Sequence, residues 1–337
     1  MARKKMFIAP FYVNHRGCPE RCVFCDQNSI SGQDGGMAEG DEIKSEISSY
    51  LESWQGEGRR EVAFYGGTFT ALPLAMQEHM LGQVKPFIDN GEIDAVRVST
   101  RPDAIDEEGL KLLKKYGAAT VELGVQSMDD EVLRSSGRGH SSADTESAAR
   151  LIREYGFTLG CQLMPGLPGD SYERSMKSAF KVADLGAELV RIYPALVIRG
   201  TELEKKFQEG SYRPLTMEEA LPLCADMVEL FRARNIDVIR IGLQAEESLE
   251  KSLLSGPYHP SFGEMVESAI FMKKARSLLA KASYGNKDIS FSISPSDESA
   301  FRGQRNMNIK RLSADFPRLN FSIRKDFSLK RGKVLIH

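Results

Sequence analysis

The sequence has no long apolar run, few cysteines and little net charge, and each shortage excludes a class of protein. No apolar stretch approaches the roughly 20 residues of a membrane-spanning helix, and the run after residues 1–5 is too short for a signal peptide. The cysteine count, five, is odd, so a secreted disulfide framework is not expected. The 337 residues, 41% of them hydrophobic and 27% charged, indicate a globular cytoplasmic protein without a membrane partner.

Three of the five cysteines lie within eight residues, as Cys18, Cys22 and Cys25. Three thiolates on one short loop, the cysteine loop (residues 15–25), can hold three irons of a four-iron cluster and leave the fourth iron open. Zinc is the main alternative, but a structural zinc site normally has four ligands, and His15 or a distant group would have to be the fourth. Unliganded thiols are the third possibility.

The rest of the chain alternates short apolar strands with amphipathic helices. This order predicts a parallel sheet covered by helices, a partial (βα)6 TIM-like barrel with one extra strand. Polar and glycine-rich motifs follow the predicted strands, where the site of such a barrel collects. The predicted strands are 6–12, 61–65, 95–99, 119–123, 157–163, 189–193 and 237–242, and the predicted helices are 41–54, 106–116, 131–136, 143–155, 172–185 and 216–234.

The regular alternation of predicted strands and helices ends after Gly242, and we predict that the chain has three parts. Residues 1–245 form the partial barrel, and residues 246–284 form a helical extension with helices near 246–254 and 260–279. Residues 285–337, called the appendage below, form a small α/β unit with strands near 289–293, 319–323 and 334–336 and a helix near 307–316.

The net charge of −2 conceals a strong asymmetry. Residues 273–337 carry 15 Lys and Arg against 5 Asp and Glu, whereas the preceding residues are acidic. A basic tail on an acidic body suggests an anionic partner, with nucleic acid among the options. The alternative is that the tail simply docks on the acidic body.

Several motifs together resemble the radical S-adenosylmethionine (SAM) enzymes. The cysteine loop, with an aromatic residue before its last cysteine, resembles their cluster loop, and Gly66-Gly67-Thr68 (the glycine turn) resembles their glycine motif. Three further stretches resemble the sub-branch that holds the catalytic subunit of Elongator, a tRNA-modifying enzyme. They are residues 122–140, 162–169 and 191–201. The resemblance covers residues 15–242.

The resemblance implies a [4Fe-4S] cluster on Cys18, Cys22 and Cys25, with SAM as the second cofactor. A reduced cluster would cleave SAM to a 5′-deoxyadenosyl radical, which abstracts hydrogen from the substrate. An electron donor such as flavodoxin or ferredoxin is therefore implied. The other implied contacts to SAM are Phe24 (adenine), Gly66, Gly67 and Thr68 (methionine amine), Ser99 (ribose), Gln126 and Gln162 (polar groups) and Arg138 (methionine carboxylate).

Most of these residues also have a structural interpretation. Phe24 can pack under the loop, the glycines can form an ordinary turn, the glutamines can satisfy buried backbone, and Arg138 can be a solvated loop residue. Ser99 departs from the carboxylate that related enzymes often place there, which weakens the ribose contact and makes Thr100 and Arg101 alternatives for it. Candidate substrate groups are His140, Tyr193, Tyr258 and His259, although a lone loop histidine is usually structural.

The chain also departs from the Elongator-type enzymes. About 95 residues follow Gly242, and we expect no acetyltransferase domain among them. No second cysteine cluster is expected, since Cys161 and Cys224 are 63 residues apart and suit a buried apolar core.

Three hypotheses remain for the substrate and partner. In the first, a tRNA nucleoside enters the barrel, and Phe327 is a candidate to stack on a base, while Phe321 suits the core better. The phosphate contacts would be Lys310, Arg311, Arg324, Lys325, Lys330 and Arg331. In the second, the substrate is a small anionic metabolite held near Arg302, Gln304 and Arg305. In the third, the protein is a cluster-bearing RNA-binding or sensor protein without catalysis.

Overall fold

The computed structural model describes residues 7–19, 21–31, 40–281 and 287–337. Strands and helices alternate along these ranges. The strands are β1 (Phe7–Tyr12), β2 (Arg60–Tyr65), β3 (Ala95–Thr100), β4 (Ala118–Gln126), β5 (Thr158–Leu163), β6 (Leu189–Ile192), β7 (Val197–Ile198), β8 (Asp237–Ile241), β9 (Leu253–Ser255), β10 (Asp288–Ile293), β11 (Asn320–Lys325) and β12 (Val334–Ile336). The α-helices are α1 (Gln27–Ser31), α2 (Gly40–Ser53), α3 (Leu74–Asp89), α4 (Glu107–Lys115), α5 (Asp130–Ser135), α6 (Ser142–Glu154), α7 (Tyr172–Asp184), α8 (Glu202–Gln208), α9 (Met217–Ala233), α10 (Glu247–Ser252), α11 (Phe262–Lys281), α12 (Glu298–Arg302) and α13 (Met307–Asp315).

Seven strands form one parallel sheet in the order β1-β2-β3-β4-β5-β6-β8. Strands β1 and β8 are its two edges, so the curled sheet is a half-barrel. This confirms the predicted α/β class and the partial barrel. The helix boundaries have local causes: Asp106, for example, accepts a hydrogen bond from the backbone of Gly109 and caps α4.

Alternation along the strands separates two faces of this sheet. On β4, Val121, Leu123 and Val125 belong to the apolar core beneath the helices. Glu122 and Gln126 therefore lie on the opposite, concave face. Because the same alternation holds on β2, β3, β5 and β6, polar residues collect on the concave face, where a barrel site is expected.

Helix α3 was not predicted, although its buried Met80, Leu81 and Val84 follow helical spacing. Pro86 in its last turn weakens the helical pattern in the sequence. The two-stranded antiparallel ribbon of β7 and β9 was also missed, because strands of two and three residues carry little periodic signal.

The described part of the appendage is a three-stranded sheet, in the order β11-β10-β12, with helices against one face. Phe291 and Phe301 form its core with Phe271 of α11, so the appendage shares this core with the preceding long helix. The boundaries at 245 and 284 stay predictions. In the described ranges, no helix is long and apolar enough to cross a membrane.

Candidate functional site

The cysteine loop connects β1 to α1 at the carboxyl end of the sheet. Cys22 is buried, Cys18 and Cys25 are half-buried, and all three are free thiols. A turn brings the backbone N–H of Cys25 to within 3.0 Å of the Cys22 carbonyl oxygen. Burial, with the charges of Cys22 and Cys18 adding to it, raises the pKa of the Cys25 thiol to about 12. A thiol with such a high pKa becomes a thiolate at neutral pH only when a cation stabilises its negative charge.

Gln27, the first residue of α1, ties the cysteine loop to the glycine turn. Its side-chain oxygen accepts hydrogen bonds from the backbone N–H of Gly67, at 2.8 Å, and of His15. In return, the Gln27 backbone N–H donates to the His15 ring at 3.1 Å. His15, which the zinc alternative needs as a ligand, is therefore occupied as a hydrogen-bond acceptor inside the loop.

The glycine turn packs directly against the cysteine loop. A side chain at Gly67 would overlap the carbonyl oxygens of Val13 and Arg16, and Gly67 also has a φ of +53°. The Thr68 N–H donates to the Arg16 carbonyl at 2.8 Å, and the Thr68 hydroxyl lies 3.2 Å from the Cys18 sulfur. In this structure, the missing side chain of Gly67 makes room for the cysteine loop.

Gly66 of the glycine turn and Phe24 of the cysteine loop have different surroundings. Gly66 has a φ of +72°, and a Cβ there would lie 2.8 Å from the Asn14 side-chain oxygen. Phe24 is buried in a small apolar cluster with Val132, Leu167 and Leu203. Its ring supports the loop from below, and its contact to adenine stays a prediction.

Arg138 reaches the same loop from the turn after α5. Its Nη1 donates to the Cys22 sulfur at 3.2 Å, and its Nη2 donates to the Gly124 carbonyl at 2.6 Å. Its Nε is buried and has no hydrogen-bond partner within the described residues. Arg138 is thus a site residue with a thiol partner, and its predicted carboxylate contact stays untested.

A second guanidinium, that of Arg101, lies beside the cysteines. It is 3% exposed and forms a bidentate pair with Asp103, at 2.9 and 2.7 Å. Burial opposes its charge, but Asp103 and the nearby Cys22 and Cys18 raise its pKa. Arg101 and Asp103 line an open pocket of about 490 Å³ together with Cys18.

His140 is buried behind Arg138. Its Nε2 lies 3.2 Å from the Val125 carbonyl oxygen, and its Nδ1 has no partner among the residues described. Burial, and then the charge of Arg138, lowers its pKa to about 4 despite the opposing charge of Asp103. The ring is therefore neutral at pH 7.

The two predicted glutamines meet on the concave face. The Gln162 side-chain nitrogen donates to the Gln126 side-chain oxygen at 3.2 Å, and Gln126 has a φ of +65° at the end of β4. Ser99 is half-buried and pairs in register with Glu122 on the same face. The two glutamines are thus in contact and Ser99 shares their face of the sheet, while the contacts of all three to SAM stay predictions.

An ionic network beneath these residues was not predicted. Arg97, 1% exposed, pairs with Glu61 and, at 2.8 Å, with Glu122. Arg191 binds both oxygens of Glu122. Despite burial, this carboxylate raises the pKa of Arg191 well above its usual range. Gly160 leaves the space for Glu122, because a Cβ there would lie 2.8 Å from Glu122 Cγ.

Two tyrosines complete the network. Arg191 donates to the Tyr65 hydroxyl at 2.8 Å and to the Tyr193 hydroxyl at 3.2 Å. Each phenol oxygen is thus an acceptor, which leaves its own proton to donate elsewhere. Burial, reinforced by Glu122, raises the pKa of Tyr65 to about 12, so its phenol stays protonated.

The other two candidate substrate residues have local partners. The Tyr258 hydroxyl donates to Glu250 at 2.9 Å, and the His259 ring accepts a hydrogen bond from the Ser261 backbone at 3.0 Å. Both therefore stabilise the loop before α11 in this structure.

The cysteine loop fits a cluster better than a single metal ion. Within the described ranges, no three His, Cys, Asp or Glu side chains are grouped to hold one metal. The thiolates of a cluster surround one cube but lie farther apart than the ligands of a single ion, because each binds a different iron. Arg138 Nε and Arg101 Nη1 are buried and have no hydrogen-bond partner among the described residues, which also suits an anionic group.

Sequence reasoning missed Gln27, Arg97 and Tyr65 as parts of this region. Their signal was weak, because each acquires its role through a contact with a distant segment. Only the position of Tyr65, at the end of a strand, marked it out.

Comparisons with known families match most of the chain. Residues 13–180 match the Radical SAM superfamily, and residues 187–271 match the Radical_SAM C-terminal domain. A tRNA uridine(34) acetyltransferase from Methanocaldococcus infernus is 34% identical over 181 residues, which are 48% of this chain and 34% of the relative. The chain thus spans about one third of that enzyme's length.

Two further similarities cover more of the chain. A protein of unassigned function from Methanocaldococcus jannaschii is 29% identical over 238 residues, which are 67% of this chain and 72% of that protein. The solved structure of an N-terminally truncated archaeal Elp3 from M. infernus aligns with a TM-score of 0.62 and 23% identity. It covers 80% of this chain and 63% of that one, and it shows a shared fold.

Proposed function

Because the chain belongs to the radical SAM superfamily, we propose that Cys18, Cys22 and Cys25 hold its cluster and that its substrate is a tRNA nucleoside. The family's cofactors are a [4Fe-4S] cluster and SAM. When bound, they supply a 5′-deoxyadenosyl radical that removes a hydrogen atom from the substrate. The observation that carries the cluster assignment is the three-thiol loop held between the glycine turn and Arg138.

The chain's own residues position and enclose these cofactors. Gln27 and the glycine turn hold the loop in place, and Phe24 keeps its underside dry. Gly66, Gly67 and Thr68 offer backbone and a hydroxyl to the methionine amine, and Ser99, Gln126 and Gln162 offer polar atoms from the concave face. These contacts are proposals that follow from the family's motifs.

Anaerobic reconstitution, reduction and assay for 5′-deoxyadenosine test the cluster assignment. We expect about four irons per chain and turnover in the wild type, and loss of both in Cys22→Ala. Cys161→Ala is the matched control, since Cys161 is a buried cysteine on the helix side of β5. A Cys22→Ala protein that keeps its four irons and its turnover would overturn the assignment.

Three observations support a tRNA substrate. Relatives that match the barrel are named tRNA uridine(34) acetyltransferases, although the chain spans only a third of them. The interior part of the ionic network is charge-balanced, with two arginines and two glutamates, and the exposed Arg59 pairs with Glu61 at its edge. Its tyrosine hydroxyls are placed to donate to the carbonyl groups of a base, which suits a nucleoside better than a small anion.

The appendage supplies the third observation. Arg305, Lys310, Arg311, Arg324 and Lys330 are exposed and have no ion pair within the described residues. The ion pairs that appendage cations make there, such as Lys325–Glu298 and Arg331–Asp297, lie within the appendage itself. Docking on the acidic body therefore does not use these charges, although Lys273, at the start of the basic tail, does pair with Asp226 and Glu229 of α9.

Phe327 is 88% exposed in the turn between β11 and β12, and it lies between Arg324 and Lys330 in the sequence. Phe321 instead packs on Phe291, with ring centroids 5.8 Å apart. Exposed cations around an exposed ring suit phosphates and a base.

Binding of bulk tRNA at several salt concentrations tests this proposal. A variant with Lys310, Arg311, Arg324 and Lys330 changed to Gln should lower the slope of log affinity against log salt by about 3. A matched variant with Lys111, Lys115, Arg150 and Lys205 changed to Gln removes four exposed charges from helices α4, α6 and α8 of the barrel and should keep the wild-type slope. Equal slopes in both variants would contradict the proposal, and no stimulation of 5′-deoxyadenosine formation by tRNA would favour a small metabolite.

Radical SAM enzymes need an electron donor, and we propose a flavodoxin or ferredoxin in a reducing cytoplasm. Turnover with reduced flavodoxin in place of dithionite tests this assignment. No turnover with either class of donor, while dithionite still works, would contradict it.

A further inference from the structure

Arg138 joins two segments that are far apart in the chain. Its Nη1 lies 3.2 Å from the Cys22 sulfur, and its Nη2 lies 2.6 Å from the Gly124 carbonyl at the end of β4. Two separate partners hold the guanidinium plane, so its orientation does not depend on a ligand.

The backbone just before Arg138 is also bound to the cysteine loop, because the Val23 N–H donates to the Ser136 carbonyl at 3.0 Å. The Arg138 N–H donates to the Leu133 carbonyl at 2.9 Å, which holds Arg138 in the turn after α5. Gly137, at a φ of +64°, turns the chain so that Arg138 faces the loop. The Gly124 carbonyl is available because the pairing of β4 with β5 shifts register between Leu123 and Gln126.

A guanidinium bound to a cluster thiolate has a defined physical effect. It withdraws electron density from the sulfur and stabilises the added charge of the reduced state. Because Cys22 is buried and Arg138 is half-buried, solvent screens their contact less than it screens an exposed pair. The reduced form is therefore favoured.

We propose that Arg138 is a positioning residue that raises the reduction potential of the cluster through its hydrogen bond to Cys22. This rests on the proposed role of Cys22 as a cluster ligand. In this proposal, Arg138 binds the cluster thiolate in addition to lining the site that SAM would occupy. The Nε–H, which has no partner within the described residues, remains open to a second group.

Redox titration of the reconstituted protein, followed by electron paramagnetic resonance without SAM, tests this proposal. At the wild-type midpoint, half of the cluster is reduced. In Arg138→Met, the ratio of reduced to oxidised cluster at that same potential should fall by about tenfold or more, as expected for the loss of a charged hydrogen bond. Arg138→Lys keeps the charge and one donor, and should fall between the two.

Arg21→Gln is the control for charge alone. Arg21 precedes Cys22 in the chain but is exposed, so solvent screens its charge, and a change below twofold is expected. A ratio in Arg138→Met within twofold of wild type would overturn the proposal, as would an equal shift in Arg21→Gln. If Arg138→Met takes up no iron, Arg138→Lys is compared with Arg138→Gln instead. We expect a lower ratio of reduced to oxidised cluster in Arg138→Gln. Equal ratios would count against the proposal.

Failure of the underlying cluster assignment has a different signature. In that case, Cys22→Ala would keep the iron content and spectrum of the wild type. If Cys22→Ala abolishes the cluster but substitutions of Arg138 leave its reduction potential unchanged, only the proposed effect of Arg138 on the potential is refuted.

Discussion

The concave face of the half-barrel and the surface of the appendage use charge in opposite ways. On the concave face, the buried Arg97 and the mostly buried Arg191 are paired with Glu61 and Glu122. On the appendage, Arg324 and Lys330 are exposed and have no ion pair within the described residues. Buried charges must be paired because desolvation is expensive, whereas exposed charges can stay unpaired and attract an anion at long range.

The comparison teaches which charges hold the fold and which serve a partner. The interior network fixes the positions of Tyr65 and Tyr193 beneath the site. The appendage charges make few contacts of their own. If this division is right, variants in the two regions should differ in stability and in binding.

The largest expected effect is on the buried network. Glu122→Gln keeps the side-chain shape but leaves Arg191 without a carboxylate, because Glu122 is its one ion-pair partner in the described structure. We expect a loss of about 3–5 kcal/mol in the free energy of unfolding, measured by urea denaturation. The exposed pair Glu247–Lys251 offers a control, since Glu247→Gln should leave stability unchanged. Similar losses of unfolding free energy in both variants would show that the buried network does not stabilise the fold more than an exposed ion pair does.

The second effect concerns the contact between the glycine turn and the cysteine loop. Gly67→Ala places a Cβ against two carbonyl oxygens, whereas Gly91→Ala has a similar φ of +73° and nothing within 4 Å. Backbone strain, about 1–3 kcal/mol, is common to both, so the extra loss in Gly67→Ala measures the clash. Urea denaturation of the two variants gives that difference, and iron uptake should fall only in Gly67→Ala. Equal behaviour would show that the turn does not support the loop.

The third effect is the pH dependence that comes from His140. Its pKa of about 4 in the folded protein lies below the usual 6.5 of an unfolded chain. The unfolded state therefore binds the proton first, and the contribution of this group is complete above pH 6.5 and is lost as the pH falls toward 4. Denaturation midpoints over this range should fall less steeply in His140→Gln than in wild type. Parallel curves would show that the histidine is not buried in its neutral form.

The smallest expected effect on stability is in the appendage. Changing Lys310, Arg311, Arg324 and Lys330 to Gln removes charges that pair with nothing in the described ranges. Each change should alter the free energy of unfolding by about 0.5 kcal/mol or less. A large loss would mean that these charges dock on the acidic body, and the contrast between the two regions would disappear.

Much of the fold was predictable because it depends on local patterns. The order of strands and helices, the cap at Asp106 and the strands of the appendage follow from periodicity and turn chemistry. Helix α3 was missed because Pro86 obscured its pattern. The short ribbon β7–β9 was missed because it forms only through long-range pairing.

The site was predictable to the extent that its residues are neighbours in sequence. The spacing of Cys18, Cys22 and Cys25 indicated a cluster loop without any tertiary information. The hydrogen bond from Arg138 to Cys22 spans 116 positions, and no local pattern encodes such a contact.

The sequence by itself determined the cysteine loop, the βα order and the basic character of the appendage, because spacing and composition are properties of the chain. Only the tertiary structure decided that Gly67 makes room for that loop and that Gln27 ties it down. It also decided that Glu122 lies between two arginines. The physical reason is that close packing and buried ion pairs depend on which distant segments the fold brings within about 4 Å of each other.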